Sequence, residues 1–176
     1  MHEVIVTDRL ELHLLTLAEL DAVADEDGNG LAERIDASVP DEWVDELRLL
    51  AAFRAQQLRE RPADGPWLLR AIVLRPATGP RQVIGYLNFH AGPDERGMVE
   101  IGYSLLPGAR GRGYAIEAVR WAFAWATREF GIRLFRASVS PGNERSENLI
   151  RKLGFVQTGQ QWDDRDGLEL VYELRT

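Results

Sequence analysis

The sequence predicts an α/β fold, in which a mixed, mostly antiparallel sheet carries helices on both of its faces. Three observations favour this class. Alternating apolar and polar residues indicate strands near both ends of the chain, and apolar residues at helical spacing indicate helices between them. The connection from residue 98 to residue 139 is a strand, a helix and a strand, which is long enough to join a parallel pair. Since the 176 residues show no repeat and no linker, we expect residues 1–176 to form one domain.

The first half of the chain is expected to contain one strand, two helices and then the start of the sheet. Residues 9–14 alternate apolar and polar side chains and indicate a strand, after which Thr16 is placed to cap a short helix. Residues 25–30 are a turn-rich break, and a longer helix opens at Pro40 and is ended by Pro62. Three strands follow, at residues 67–74, 82–89 and 98–105, and the first two of them form a hairpin.

The second half of the chain alternates helices and strands before a final hairpin. The predicted helices cover residues 115–130 and 144–153, and Gly154 stops the second of them. Between the two helices, residues 134–139 form a short strand rich in apolar side chains. The last hairpin is predicted to have strands at residues 156–162 and 168–174, joined by a turn at residues 163–167.

Charge and composition exclude several classes of protein. Residues 1–60 carry 15 Asp and Glu against 5 Arg, whereas residues 61–176 carry 13 acids against 16 Lys and Arg. The net charge of −7 argues against nonspecific binding to nucleic acid, and the uneven division indicates one surface for an anionic ligand and another for a cationic one. Without cysteine the chain can form no disulfide and no Cys-based zinc site, and we expect no metal. No membrane span or secretory signal is recognisable, so a cytoplasmic protein is expected.

A loop rich in glycine and arginine joins the strand at residues 98–105 to the next helix. The first turn of a helix leaves peptide N–H groups unpaired, and the helix dipole adds positive potential there. Glycines let an anion approach the backbone, so a pyrophosphate would suit this position. Neither the P-loop pattern nor the dinucleotide-binding pattern fits the spacing of the glycines. The predicted anion-binding residues are Arg110, Gly111, Arg112, Gly113, Tyr114 and Ala115.

The spacing Arg-x-x-Gly-x-Ala at residues 110–115 closely resembles the coenzyme A loop of the GNAT superfamily of N-acetyltransferases. Residues 7–12, 100–103, 143–148 and 152–155 resemble the RimJ/RimL-like branch, which acetylates ribosomal-protein N-termini. The resemblance covers nearly the whole chain. It implies an acetyltransferase that uses acetyl-CoA, and a sheet whose central parallel strands splay apart so that pantetheine inserts between them.

Several residues acquire roles from this resemblance together with their local pattern. Leu105 and Leu106 interrupt the strand alternation as a β-bulge would, and a bulge leaves a peptide N–H free, which in the family faces the thioester carbonyl. Glu100 is the candidate general base for an amine. Asn143 is placed to cap a helix and, by resemblance, to lie beside the coenzyme. The resemblance places Ser146 beside the coenzyme too. Ser146 is also a catalytic candidate that orients the sulfur, and the alternative is that the thiolate leaves unassisted.

The general acid and the acceptor are left open. Many relatives carry a tyrosine as general acid where this chain has Ile150, so the acid is in doubt. The expected acceptor is a primary amine, either a protein N-terminal α-amine or a small molecule, and a cationic one is favoured by acids in the helices after the first strand. The alternatives are a noncatalytic acyl-CoA sensor and an acyltransferase with another acyl-CoA or acceptor; a homodimer is possible. The acids concerned are Asp21, Asp25, Glu26, Asp27, Glu33, Asp36, Asp41, Glu42, Asp45 and Glu46.

Overall fold

Eight strands form one sheet in the computed structural model, which describes residues 4–164 and 167–176. The strands, in chain order, are β1 Val4–Val6, β2 Leu10–Leu14, β3 Arg70–Leu74, β4 Gln82–Phe89, β5 Met98–Leu105, β6 Leu134–Val139, β7 Val156–Asp163 and β8 Gly167–Arg175. Their order across the sheet is β1-β2-β3-β4-β5-β6-β8-β7. Every neighbouring pair is antiparallel except β5 and β6, which are parallel, so the predicted mixed sheet is confirmed.

Helices cover both faces of the sheet, as the sequence predicts. They are α1 Leu17–Ala24, α2 Gly28–Ile35, α3 Asp41–Glu60, α4 Tyr114–Phe130 and α5 Glu144–Lys152. Two apolar cores result, because strand side chains alternate between the faces. Ala71 and Val73 of β3 pack with α1, α2 and α3, whereas Ile72 between them packs in the core that contains α4 and Ile150 of α5. None of the helices in the described ranges is both long and apolar enough to span a membrane.

The sequence prediction differs from the structure mainly at short elements. Strand β1 was not predicted, because three residues give too little alternation to recognise. Helix α2 begins inside the predicted break at residues 25–30, where the Asp27 carboxylate accepts a hydrogen bond from the Gly30 N–H at 2.9 Å and caps it. Strand β3 starts at Arg70, because Pro62–Trp67 forms a 3-10 helix. Of the predicted final turn, residues 165 and 166 lie outside the described residues.

Strands β5 and β6 pair over only part of their length. The parallel register covers three positions, from Met98 opposite Leu134 to Glu100 opposite Arg136. Beyond that point β5 continues to Leu105 and β6 to Val139 without pairing to each other. A gap therefore opens between the carboxyl ends of the two parallel strands, as the resemblance to the acetyltransferase fold implies.

Gly85 of β4 connects the end of β5 with the helices α1, α2 and α3 on one face of the sheet. The indole N–H of Trp43 on α3 donates a hydrogen bond to the Gly85 carbonyl at 2.9 Å. A side chain at this glycine would overlap the carbonyl oxygen of Ser104, and its Cβ would lie 2.9 Å from the Cα of Leu105. Only glycine therefore allows β4 to approach the end of β5 this closely.

We expect Gly85→Ala to destabilise the fold by about 2 kcal/mol or more, because the new methyl group would press against backbone that cannot move cheaply. Gly159→Ala in β7 is the matched control, since nothing lies within 4 Å of a Cβ at that strand glycine. Its free energy of unfolding should stay within about 0.5 kcal/mol of wild type. Urea unfolding of both variants measures the difference, and equal stability of the two would contradict the packing argument.

Candidate active site

A cavity of about 930 Å³ lies beside the part of β5 that no longer pairs with β6. Its wall is built from the end of β5, the glycine-rich loop, the first turn of α4, and α5 with its N-cap residue. The predicted site residues in this wall are Leu105, Arg110, Gly111, Gly113, Tyr114, Ala115, Asn143 and Ser146. The structure thus brings together two segments that the sequence separates, residues 103–116 and 143–152, whereas Leu106, Arg112 and Glu100 do not line the cavity.

At the end of β5, the peptide groups of alternate residues either bond to β4 or face the gap. The Leu106 N–H donates to the Ile84 carbonyl at 2.9 Å, and the His90 N–H donates to the Glu100 carbonyl at 3.0 Å. In an antiparallel ladder the intervening odd-numbered residues turn their N–H groups to the other edge. The N–H groups of Tyr103 and Leu105 therefore face the gap.

The predicted bulge at Leu105 and Leu106 is wrong. The β4–β5 register runs without a shift to Gly85 opposite Leu105, and the Leu106 N–H continues it by bonding to β4. The two leucines keep the strand alternation, since Leu105 belongs to the core beneath α4 and Leu106 to the core beneath α1–α3. Two consecutive apolar residues reflect a strand buried on both faces. Of these two amides, only that of Leu105 is turned to the gap.

The loop before α4 has the backbone of an anion site. Gly111 and Gly113 have φ of 76° and 80°, a left-handed conformation that favours glycine. Gly113 is the N-cap of α4 and supplies no side-chain cap, so the first N–H groups of that helix remain available to a ligand. The Nε of Arg110 donates to the Leu105 carbonyl at 2.7 Å, which ties the loop to the end of β5.

Arg9, from the turn between β1 and β2, holds the other side of the loop. Its guanidinium donates to the Glu117 carboxylate of α4 at 2.7 Å and to the Arg112 carbonyl at 3.1 Å, and it lies over the Tyr114 ring. The Thr7 hydroxyl donates to the same carboxylate at 2.6 Å. The motif at residues 7–12 thus orders the loop. Sequence reasoning noticed that motif only as a resemblance and missed Arg9 and Glu117, because their contact spans 108 positions.

The Glu117 carboxyl is kept ionised by these contacts. Burial alone would raise its pKa, but hydrogen bonds from Thr7 and from the backbone and side chain of Arg9 outweigh burial and lower the pKa below its ordinary value of 4.5. The network therefore joins an ionised carboxylate to a guanidinium at the base of the loop.

Helix α5 presents Asn143 and Ser146 to the cavity. The Asn143 side-chain oxygen accepts a hydrogen bond from the Ser146 N–H at 3.3 Å, so Asn143 is the N-cap of this helix and also lines the cavity. Ile150, one turn further on, is 1% exposed and packs in the core beneath α4. Helix α5 therefore has no proton-donating side chain at that position.

Glu100 lies on the opposite face of the sheet from α4 and α5, at the point where β5 and β6 separate. Its carboxylate accepts a hydrogen bond from the Ser138 hydroxyl of β6 at 2.5 Å, and the Nδ1 of His90 is 3.9 Å away. The Glu100 side chain remains 22% exposed, so a molecule approaching this face can reach it. The sequence carries no signal for Ser138, and it indicates a strand-edge or core position for His90. Both residues lie beside Glu100 because β4 and β6 are the neighbours of β5 in the sheet.

The acids of helices α1, α2 and α3 differ in their partners. Glu46 accepts a hydrogen bond from the Ser104 hydroxyl of β5 at 2.7 Å. Ser104 also lines the cavity, so the Glu46 carboxylate borders the gap from the α3 side. Three other acids are paired with arginines, as Asp21–Arg59, Glu26–Arg48 and Asp36–Arg81. Within residues 4–164 and 167–176 no group of three or more metal-binding side chains occurs.

Comparison with known proteins agrees with this geometry. Residues 9–156 match the model of the family described as acetyltransferase (GNAT) domain. The uncharacterized N-acetyltransferase YjdG of Bacillus subtilis is 27% identical over 154 residues, which cover 85% of this chain and 88% of YjdG.

Two solved structures share the fold. A putative ribosomal-protein-serine acetyltransferase from Vibrio cholerae has a TM-score of 0.68 at 18% identity and covers 99% of this chain and 98% of its own. RimL, a ribosomal alpha-N-protein acetyltransferase, has a TM-score of 0.67 at 18% identity, and the superposition covers 100% of this chain and 96% of the RimL chain. RimL has also been solved in complex with coenzyme A.

We expect Glu117→Gln to destabilise the protein at neutral pH by about 1 kcal/mol, because the charged hydrogen bonds are lost while the half-exposed Arg9 partly compensates through solvent. A carboxyl whose folded pKa is lowered stabilises the fold above its unfolded pKa, and that contribution disappears as pH falls through the folded value. The difference between wild type and variant should therefore shrink from about pH 5 downward.

Urea unfolding of both proteins between neutral and acidic pH measures this dependence. Glu129→Gln on the same helix is the control, because its ion pair with Arg128 is exposed on both sides. A stability difference for Glu117→Gln that stays constant with pH would show that the carboxylate charge is not the cause.

Proposed function

Because the chain belongs to the acetyltransferase (GNAT) family and is an acetyl-CoA-dependent acyltransferase, we propose that it transfers the acetyl group to a primary amine. The acceptor is either a protein N-terminal α-amine or a small-molecule amine. The observation that carries this proposal is the separation of β5 from β6, with a cavity and an uncapped helix start beside the unpaired end of β5 and the partly exposed Glu100 carboxylate on the other face of the sheet.

The cavity side suits the coenzyme. Its pyrophosphate would be held by the uncapped first turn of α4, where Gly111 and Gly113 expose the backbone, with Arg110 and Arg112 supplying positive charge. Pantetheine would enter the gap, and the Leu105 N–H would donate to an acyl oxygen there and stabilise negative charge as it develops. The coenzyme A complex of RimL supports the same use of this fold.

Asn143 and Ser146 would bound the coenzyme from α5. The two residues stand in the cavity wall across from the end of β5, so pantetheine in the gap would pass between them and Leu105. The capping bond of Asn143 uses its side-chain oxygen and leaves its amide N–H groups to donate. The Ser146 hydroxyl would help to orient the sulfur.

The opposite face suits an amine. An amine arrives protonated at neutral pH and must lose a proton before its nitrogen attacks. Glu100 would accept that proton, and the Ser138 hydroxyl would fix the carboxylate in place through its hydrogen bond. Before the attack, Glu100 takes one proton from the ammonium group and passes it to solvent. In the transfer, the C–N bond forms, the C–S bond breaks and sulfur takes the electron pair; the second proton that the nitrogen loses then protonates the thiolate. A noncatalytic sensor would have no need of a carboxylate at the gap.

We expect Glu100→Gln to lower kcat by about 10²-fold while coenzyme A affinity stays within about 2-fold, since an amide cannot take the amine proton. Glu95→Gln, in the exposed turn before β5, is the control and should keep wild-type kcat. Thiol release from acetyl-CoA with pooled amines gives kcat, and calorimetry gives the affinity for coenzyme A. Wild-type turnover in Glu100→Gln would assign the proton to another base.

A cationic acceptor should be preferred, because the Glu46 and Glu100 carboxylates flank the gap on the amine side. For matched basic, neutral and acidic peptide amines, we expect kcat/KM to be highest for the basic one and to fall with added salt. Glu46→Gln should reduce that preference, whereas Glu26→Gln, on a residue already paired with Arg48, should not. Equal, salt-insensitive kcat/KM for the three peptides would exclude electrostatic selection.

A further inference from the structure

A chain of hydrogen bonds leads from the last hairpin of the sheet to the Glu100 carboxylate. It begins at Glu169 of β8, whose carboxylate accepts a hydrogen bond from the side-chain amide nitrogen of Gln161 on β7 at 3.0 Å. The same nitrogen donates to the Ser138 hydroxyl oxygen of β6 at 3.2 Å, and the Ser138 hydroxyl donates to Oε1 of Glu100 at 2.5 Å. The four side chains thus connect the neighbouring strands β5, β6, β8 and β7.

The direction of every bond in this chain follows from the carboxylate at its start. A carboxylate can only accept hydrogen bonds, so Glu169 requires the NH2 group of Gln161 rather than its carbonyl oxygen. That NH2 group has two protons, one for Glu169 and one for the Ser138 oxygen. Ser138 has a single proton, and its other partner is Glu100, which also can only accept. Gln161 therefore makes Ser138 a donor to Glu100.

Strand register accounts for the alignment of these side chains on one face. Gln161 lies opposite Glu169 in the β7–β8 pair, and Ser138 lies opposite Val171, the next residue of β8 on the same face. Glu100 is the last position of β5 that pairs with β6. All four members of the chain are partly buried, and Glu100 is still reachable. The chain therefore runs along the face from which the amine approaches in the proposed function.

The bond from Ser138 determines which oxygen of Glu100 faces the amine. Ser138 occupies Oε1, and the nearest approach of the His90 imidazole, at 3.9 Å, is to the same oxygen. Oε2 is then the oxygen directed to an incoming ammonium group. A serine hydroxyl that rotates freely would hold the carboxylate less firmly, because its proton could turn to water instead. The bond from Gln161 opposes that rotation, and a positioned base reacts faster than one that must first be ordered.

We propose that Gln161 is a positioning residue, which acts through Ser138 to hold the Glu100 carboxylate with Oε2 toward the amine. This inference rests on the proposed function. In the proton transfer, an N–H bond of the ammonium group breaks, its electron pair stays on nitrogen, and an O–H bond forms at Oε2. Gln161 and Ser138 keep their protons throughout, and neither residue lines the cavity proposed for the coenzyme.

Because Gln161 acts through Ser138, the effects of removing the two residues should not add. Gln161→Met and Ser138→Ala should each lower kcat about 10-fold, while KM for acetyl-CoA and for the amine stays within about 2-fold of wild type. The double variant should be no slower than Ser138→Ala alone. A double variant about 100-fold slower than wild type, the product of two independent effects, would overturn the inference. So would a lower Tm in Gln161→Met with unchanged kcat, which would make the residue structural.

Two further variants separate the direction of the hydrogen bonds from packing. Gln160→Met is the matched control, because Gln160 is the exposed neighbour on β7, and it should keep wild-type kcat. Gln161→Glu has nearly the same shape as wild type but turns an acceptor toward Ser138, where it competes with Glu100 for the hydroxyl proton. Its kcat should therefore fall below that of Gln161→Met. An equal or higher kcat in Gln161→Glu would show that bond direction does not matter and would overturn the inference.

The hydrogen bonds can also be measured in the free protein, without any substrate. In 15N-labelled protein, Ser138→Ala should shift one of the two side-chain amide protons of Gln161, and Glu169→Ala should shift the other. Unchanged amide signals in both variants would overturn the inference, even if Glu100→Gln is slow and the proposed function holds. If the amide protons respond as expected but Glu100→Gln turns over like wild type, the proposed function has failed and Gln161 has no base to position.

Discussion

The parallel pairing of β5 and β6 stops after Glu100 and Arg136, and the arrangement of the candidate site depends on that separation. Two strands that part inside a sheet expose peptide groups that must find partners elsewhere. On β5 these groups include the N–H of Tyr103 and of Leu105. A ligand that enters the gap as an extended chain can use them, which is why the site lies inside the sheet rather than on a surface loop.

Each strand remains fixed because its other neighbour holds it. The β4–β5 ladder continues to Gly85 opposite Leu105, past the point of separation, and Trp43 clamps the Gly85 carbonyl from α3. On the far side, β6 pairs with β8 over its whole length, from Leu134 to Val139. The gap is therefore bounded on each side by a strand that remains paired along its outer edge.

The sheet also separates two kinds of chemistry. On the face that carries α4, backbone N–H groups and arginines converge at a loop, which Arg9 and Arg110 tie to β2 and β5. On the other face, carboxylates border the same gap, with Glu100 bonded to Ser138 and Glu46 bonded to Ser104. An anionic donor and a cationic acceptor can thus approach from opposite sides without competing for the same charges.

The sequence by itself determined the fold class, the main helices and strands, and the segments that line the cavity, because periodicity, caps and glycine spacing are local properties. It also identified the family, through motifs at residues 7–12 and 110–115. Only the tertiary structure decided which neighbour each peptide group pairs with. The expected bulge is absent, because Leu105 and Leu106 continue a strand that is buried on both faces. Of the two, only Leu105 turns its N–H to the gap. Strand pairing set Ser138 beside Glu100, and the packing of α4 on the sheet set Arg9 beside Glu117. Such contacts follow from strand register and helix packing over long sequence separations, which no local pattern encodes.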